Sequence, residues 1–172
     1  LYIELSKNMK IKILMILAIV IALISCSEET PIENQENLGP PEIGKTAPDF
    51  SGNTLDGNKI SLKDYRGKVV FVEFWATWCG PCVAKMPEMI ELYNDYKNED
   101  FVFLGVSLDY SEGPLRSYVS ENDIEWEQIL DISRSISNLY EIPGTPHGIL
   151  LDKEGKIIYK GYPRNYELRL LI

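Results

Sequence analysis

A short apolar run that ends just before a Cys-x-x-Cys motif limits the folds open to this chain more than any other feature. The run from Val69 to Trp75 is rich in β-branched and aromatic residues and is too short for a buried helix. It therefore predicts a central strand that is covered on both faces. The residues from Val83 to Tyr93 carry apolar side chains at helical spacing instead. The motif between them, Cys79-Gly80-Pro81-Cys82, is expected to open that helix.

A cysteine pair at the start of a helix favours dithiol chemistry. The unpaired N–H groups and the positive end of the helix dipole stabilise a thiolate, which is the nucleophilic form of cysteine. Cys79 is expected to be the exposed nucleophile, and Cys82, one turn deeper, to be less exposed. In this scheme the Cys79 thiolate attacks a substrate disulfide, and Cys82 then attacks Cys79 and releases the reduced substrate.

The start of the chain predicts an export signal and a lipid anchor. A basic segment, Met9 to Lys12, precedes an apolar segment, Ile13 to Ile24, which has the length of a signal peptide but is short for a membrane span. The sequence Leu23-Ile24-Ser25-Cys26 resembles the lipobox of bacterial lipoproteins, whose cysteine is acylated. An uncleaved signal anchor with an unmodified Cys26 is the alternative.

Three segments follow from this interpretation. Residues 1–25 are the predicted signal peptide, in which residues 1–8 fit neither a signal nor the fold and Met9 is the alternative start. Residues 26–42 form a lipidated flexible tether, which is polar and holds three of the ten prolines. Residues 43–172 are enough for one domain with one core.

The charge balance excludes some partners. Removal of residues 1–25 takes away three lysines and one glutamate and changes the formal net charge from −9 to −11. So many carboxylates argue against binding to nucleic acid and against electrostatic docking on anionic lipids. The only membrane contact expected is the lipid anchor.

The domain alternates strands and helices. A hairpin with an Asp56-Gly57 turn comes first, and the central strand, the helix with the cysteines and a second buried strand, Phe101 to Ser107, follow. Of the later segments, helices are expected from Gly113 to Glu121, from Arg134 to Tyr140 and from Glu167 to Ile172, and strands at Trp126 to Ile129, Ile149 to Asp152 and Ile157 to Tyr159. The order predicts an α/β fold of the thioredoxin type, with a central mixed sheet flanked by helices, an N-terminal β-hairpin extension and a central α/β insertion.

Four motifs carry a family resemblance. They are Gly44-Lys45-Thr46-Ala47-Pro48-Asp49-Phe50, Phe74-Trp75-Ala76-Thr77-Trp78-Cys79-Gly80-Pro81-Cys82, Gly105-Val106-Ser107-Leu108-Asp109 and Gly144-Thr145-Pro146-His147-Gly148-Ile149-Leu150-Leu151-Asp152. The segment from Ile43 onward resembles the anchored, periplasm-facing thioredoxin-like oxidoreductases of the TlpA/ResA type, in the AhpC/TSA-redoxin superfamily.

The resemblance implies a set of substrate contacts. Pro146 is expected to be cis and to face the disulfide, so that the backbone of Thr145 can pair with an extended substrate segment. Gly80 and Pro81, between the cysteines, and Trp78, beside Cys79, are expected to contact the substrate as well.

Glu73 is the candidate base. It occupies the position at which cytoplasmic thioredoxins carry a buried aspartate, and burial would raise its pKa and fit it to accept the Cys82 proton. The alternative is that Glu73 lies on the other face of its strand. The family usually has glutamate three residues after the second cysteine, where this chain has Lys85, which could pair with Glu73 or point to solvent; the second is favoured because most lysines are exposed.

Other dithiol and cysteine sites fit less well. Structural zinc needs a second ligand pair, and c-type haem needs histidine where Val83 stands. A peroxiredoxin-like thiol peroxidase needs threonine at the position of Ala76, and a copper-binding chaperone could use Cys79, Cys82 and the lone His147. These two remain the alternatives.

The sequence thus predicts an extracytoplasmic thiol-disulfide oxidoreductase, most simply a reductase of protein disulfides. Its redox group is the Cys79–Cys82 pair itself, with no separate cofactor and no metal. The resemblance implies a role connected with cytochrome c maturation, disulfide-bearing protein substrates, and a membrane thiol relay of the DsbD or CcdA kind as electron donor. A monomer is expected.

Overall fold

The computed structural model describes residues 40–172. The predictions for the signal peptide, for Cys26 and for most of the tether concern residues 1–39 and lie outside the described residues. The elements, in chain order, are β1 (Ser51–Asn53), β2 (Lys59–Ser61), a 3-10 turn (Leu62–Tyr65), β3 (Val69–Trp75), α1 (Gly80–Tyr96), β4 (Phe101–Ser107), α2 (Glu112–Glu121), β5 (Glu127–Leu130), α3 (Ser135–Leu139), β6 (His147–Leu151), β7 (Ile157–Gly161) and α4 (Asn165–Arg169).

The central sheet has five strands in the order β5-β4-β3-β6-β7. Strands β3, β4 and β5 are parallel, whereas β6 runs antiparallel to both β3 and β7. The hairpin of β1 and β2 forms a separate two-stranded sheet. This mixed sheet flanked by helices is the predicted thioredoxin fold, and the β5 and α2 segment is the predicted insertion.

The central strand β3 is buried on both faces, as its continuous apolar run predicts. Since side chains alternate along a strand, Phe71, Glu73 and Trp75 point to one face. Phe71 and Trp75 belong to the same core cluster as both cysteines and as the residues of α1 that point inward. Val70, Val72 and Phe74 face a second cluster on the other side of the sheet. Glu73 therefore lies on the face that α1 covers.

The predicted elements are confirmed, with shifts of one or two residues at most of their ends. The turn at Asp56 and Gly57 closes the first hairpin, where the Gly57 N–H donates to the Thr54 carbonyl at 2.9 Å. The last helix differs most, because it spans Asn165–Arg169 and not residues 167–172. Leu168 is fully buried, whereas Leu170, just after the last helical residue, is 83 % exposed.

The start of the described chain contacts the domain. Pro41, in the segment predicted as a tether, is buried, and its carbonyl accepts a hydrogen bond from Lys160 Nζ at 3.0 Å. The Gly44 N–H donates to the Ile157 carbonyl at 2.7 Å. Contacts with the domain therefore begin slightly before Ile43.

Within residues 40–172, no helix is both long enough and apolar enough to cross a membrane.

Candidate active site

The two cysteines of the motif form a disulfide at the first turn of α1. Cys79 is the N-cap residue of the helix, and the Cys79 and Cys82 Cα atoms are 5.2 Å apart. The Cys82 N–H donates to Cys79 Sγ at 3.3 Å. A thiolate formed at Cys79 on reduction would therefore receive a backbone N–H and the positive end of the helix dipole.

The expected difference in exposure between the two cysteines is small in this oxidised form. Cys82 is fully buried, but Cys79 is only 4 % exposed. The expectation that Cys79 is an exposed residue is therefore wrong for the disulfide form. Its sulfur is bonded to Cys82, and the residue packs in the core cluster that includes Trp75 and Ala76.

A buried carboxylate from the neighbouring strand fixes the loop before Cys79. Asp109 is 2 % exposed and follows β4, which ends beside the end of β3. It accepts hydrogen bonds from Thr77 Oγ1 at 2.6 Å and from the Thr77 N–H at 3.2 Å. Ser107 Oγ also donates to it, at 2.7 Å. We name the Asp109–Thr77–Ser107 cluster the loop clasp.

An exposed aromatic pair lies next to the loop clasp. Trp78, predicted to contact the substrate, is 53 % exposed, and Tyr110 is 78 % exposed. The two rings are stacked with centroids 5.9 Å apart, and the Arg134 guanidinium lies 5.6 Å from the Tyr110 centroid. Neither Tyr110 nor Arg134 was predicted from the sequence to have a role. The position of Tyr110 directly after Asp109 is the signal that could have found it.

The Thr145–Pro146 peptide bond is cis, as the resemblance implied. Pro146 is buried and directly precedes β6. In the antiparallel pairing, His147 lies opposite Phe74, so Pro146 lies at the end of β3 from which the cysteine loop departs. The predicted contacts of Thr145, Pro146, and the exposed Gly80 and Pro81 with a substrate remain predictions.

Glu73 is completely buried, and neither oxygen of its carboxyl group has a hydrogen-bond partner among the described residues. Burial raises the pKa of this carboxyl to about 8, although the positive charge of Lys85 acts in the opposite direction. An ionised carboxylate in such a site is costly, and the protonated acid is therefore favoured below that pH. This location and this pKa suit a group that exchanges a proton near neutral pH.

Lys85 does not point into solvent, and that expectation is wrong. The residue is 8 % exposed, and its Nζ donates to Glu88 Oε2 at 2.7 Å and lies 5.5 Å from the centroid of the Tyr162 ring. The aliphatic part of a lysine can be buried on a helix while its charge finds a partner near the surface. Lys85 makes no hydrogen bond to Glu73 in the described structure, yet it is close enough to lower the pKa of Glu73.

His147 pairs with Phe74 of the central strand. It is half-buried at the start of β6, and burial lowers its pKa, as does the nearby Lys160. Within residues 40–172, no three histidine, cysteine or acidic side chains lie close enough together to hold a metal ion. The three ligands that the copper hypothesis requires are therefore not gathered in one place.

Comparison with known proteins agrees with the geometry. The model of the AhpC/TSA family matches residues 43–160. The thiol-disulfide oxidoreductase ResA of Bacillus cereus is 39 % identical over 119 residues, which is 69 % of each chain. That of Bacillus subtilis is 28 % identical over 141 residues, covering 81 % of this chain and 79 % of the relative.

Solved structures give the same result. The thioredoxin domain of a thiol-disulfide oxidoreductase from Bacteroides vulgatus is 33 % identical with a TM-score of 0.69, and the match covers 76 % of this chain and 98 % of that one. A thiol-disulfide oxidoreductase from Bacteroides fragilis is 29 % identical with a TM-score of 0.67, and the match covers 74 % of this chain and 100 % of that one. With its disulfide at the start of α1, this chain belongs to the AhpC/TSA family and is a thiol-disulfide oxidoreductase of the ResA type.

Proposed function

We propose that this protein is an extracytoplasmic reductase of protein disulfides. The observation that supports this most is the Cys79–Cys82 disulfide at a helix N-terminus above a sheet face that holds a buried carboxyl, Glu73. A nucleophilic sulfur, a resolving sulfur and a proton acceptor are the three groups that disulfide reduction requires.

In the reduced protein, the Cys79 thiolate attacks one sulfur of a substrate disulfide. A bond forms between Cys79 Sγ and that sulfur, and the other substrate sulfur leaves as a thiolate and takes a proton from water. Cys82 then loses its proton to Glu73 and attacks Cys79 Sγ. The Cys79–Cys82 disulfide forms, the second substrate sulfur leaves, and two electrons have passed to the substrate.

The same geometry supports a proposed substrate surface. Trp78 and Tyr110 offer a wide exposed aromatic face beside Cys79, and Thr145 lies before the cis bond at the end of β3. A protein segment that presents its disulfide in an extended form would lie between them, pairing with the Thr145 backbone. Disulfide-bearing proteins are therefore the proposed substrates.

The residues between and below the cysteines favour electron transfer from the protein to its substrate. Gly80 and Pro81 are the pair found in thioredoxin, whose potential is about −270 mV, whereas the oxidant DsbA lies at about −120 mV. A strong oxidant needs an unusually stable thiolate, and an acid buried near the sulfurs disfavours additional negative charge. A reductase outside the cytoplasm needs a source of electrons, for which we propose a membrane thiol relay of the DsbD or CcdA kind.

The location rests on the sequence before residue 40. The apolar segment and the lipobox-like Leu23-Ile24-Ser25-Cys26 support export and acylation of Cys26, with the domain held at the envelope membrane by lipid alone. A place in cytochrome c maturation is proposed on the likeness to ResA proteins.

The first prediction concerns the two sulfurs. In a reduced Cys26→Ala protein, Cys79 should be alkylated before Cys82, with an apparent pKa below the free value of about 8.5, because it caps α1. Mass spectrometry of iodoacetamide-treated peptides over a pH series measures both rates. Cys79→Ser should abolish disulfide reduction, and Cys82→Ser should accumulate mixed disulfides with substrates. Equal alkylation rates at every pH would contradict the assigned roles.

The second prediction is the potential. Equilibration with glutathione mixtures should place the Cys79–Cys82 couple near the thioredoxin value of about −270 mV. Glu73→Gln should lower the pKa of Cys79 and move the couple toward oxidising values, since it removes a developing negative charge. A couple close to the DsbA value would rule out the reductase direction.

The third prediction concerns stability and Glu73. Its pKa is about 8 when folded, against an ordinary 4.5, so the unfolded chain loses the proton first as pH rises. The oxidised protein should therefore lose stability between about pH 4.5 and 8, by an amount on the order of a few kcal/mol. In urea unfolding, Glu73→Gln should flatten the dependence of the free energy of unfolding on pH. The variant should therefore become more stable relative to wild type as pH rises. Glu121→Gln, at an exposed carboxyl of α2, is the control and should leave the slope in place.

The fourth prediction concerns the anchor. Mass spectrometry of the mature N-terminal peptide from envelope membranes should find an acylated Cys26, and Cys26→Ala should remain unprocessed by the lipoprotein peptidase. An unmodified Cys26 in a cleaved or uncleaved chain would refute lipidation and leave the dithiol chemistry unaffected.

A further inference from the structure

Gln128 is a buried polar residue for which the dithiol mechanism has no use. It lies in β5, is 2 % exposed, and points to the same face of the sheet as Glu73, since the parallel pairings align Gln128 with Gly105 and Gly105 with Glu73. The three residues thus form one row across three neighbouring strands. Gly105 is the middle member.

The orientation of the Gln128 side chain is fixed by Trp75. Trp75 Nε1 donates a hydrogen bond to Gln128 Oε1 at 3.0 Å, and both residues are buried. An indole N–H can only donate, so the amide oxygen must face it and the amide nitrogen must face elsewhere. Gln128 Nε2 is buried and has no acceptor among the described residues.

Gly105 leaves the space in which the Gln128 amide lies. A Cβ atom at residue 105 would be 2.1 Å from Gln128 Oε1 and 2.6 Å from Nε2, distances at which atoms overlap. The amide therefore lies directly over the Gly105 backbone, on the row that leads to Glu73. Any larger residue at position 105 would displace it.

Glu73 and Gln128 lack hydrogen-bond partners of opposite kinds. Within residues 40–172, both oxygens of the Glu73 carboxyl lack a donor, and Gln128 Nε2 lacks an acceptor. Leaving either group unpaired in the core costs free energy, and an ionised carboxylate costs most. Only a residue without a side chain separates them on this face.

The other elements around Glu73 do not supply this donor. Lys85 from α1 acts on it through its charge, but its Nζ is hydrogen-bonded to Glu88. Burial and then the charge of Glu73 raise the pKa of Tyr118 in α2, but its hydroxyl makes no hydrogen bond to either Glu73 oxygen in the described residues. On the remaining neighbour, β6, the residue paired with Glu73 is Gly148, which has no side chain.

We propose that Gln128 is a positioning residue for the proton acceptor: its amide, seated over Gly105 and held by Trp75, donates to the Glu73 carboxylate through one bound water. The inference rests on the proposed role of Glu73. Gln128 touches neither sulfur and takes no proton. It holds Glu73 in place and stabilises its ionised form, so that the carboxylate is available when Cys82 must lose its proton.

The sign of the effect follows from which form is stabilised. A donor to the ionised carboxylate favours that form and lowers its pKa, opposing the effect of burial. Loss of the Gln128 amide should therefore raise the pKa of Glu73 by about one pH unit, a tenfold change in its ionisation equilibrium. At pH 7, where little of the carboxylate is ionised, resolution of the mixed disulfide by Cys82 should then become about tenfold slower.

The test is a carboxyl-¹³C NMR titration of the reduced full-length protein, with the Glu73 signal assigned from its absence in Glu73→Gln. Gln128→Leu removes both amide groups. Gln128→Met removes them as well, keeps the length of the side chain and adds no charge. Both variants should raise the Glu73 pKa, and Gly105→Ala should do the same by displacing the amide. Ile129→Val, the next residue of β5 on the opposite face, is the control for weakened packing and should leave the pKa in place.

A kinetic cycle separates this role from general damage. In stopped-flow measurements of resolution, Gln128→Leu should slow the step in the wild-type background and have less than a twofold effect in Glu73→Gln. An unchanged Glu73 pKa in folded Gln128→Leu and Gln128→Met would overturn the proposal, as would equal slowing in both backgrounds. If Glu73→Gln alone leaves resolution unchanged, the proton-acceptor role fails, while the NMR titration still decides whether Gln128 serves Glu73.

Discussion

The register of β3 between β4 and β6 is the constraint on which the active site depends. Because β3 and β4 are parallel and in register, Trp75 lies beside Ser107 and the loops that follow them leave the same edge of the sheet. That places Thr77 within reach of Asp109. The same register sets Glu73 opposite a glycine on each side, Gly105 and Gly148. A shift of one residue would turn Glu73 to the other face and separate both sets of partners.

The two glycines have different uses although they flank the same carboxyl. A Cβ at Gly148 would lie 2.7 Å from the Phe71 ring, so this glycine makes room for an apolar side chain of the core. Gly105 makes room for a polar one, the Gln128 amide. Glu73 therefore lies between two glycines in its row of the sheet, on the face that α1 covers. Solvent cannot reach the Glu73 carboxyl, but the side chains on this face of the sheet are not all apolar.

Much of this arrangement could be predicted from the sequence, because it depends on local patterns. The apolar run of β3, the Cys79 motif and the helical spacing of α1 lie in one continuous segment. The face of β3 to which Glu73 points could not be decided, since a strand buried on both sides has no polar alternation. For a related reason, Lys85 was wrongly expected to be exposed and Gln128 was not singled out. Their burial depends on partners far away in sequence or across the sheet, Tyr162 for one and Trp75 for the other.

The loop clasp has a consequence for how such a protein can diversify. Thr77 immediately precedes Trp78, and Asp109 immediately precedes Tyr110, so the partly buried hydrogen bonds between Thr77 and Asp109 set where both exposed rings stand. Replacing Trp78 or Tyr110 with another side chain would leave the hydrogen bonds between Thr77 and Asp109 in place. The proposed substrate contacts and the dithiol thus occupy adjacent but separate positions, so the contact surface can be changed without changing the cysteines.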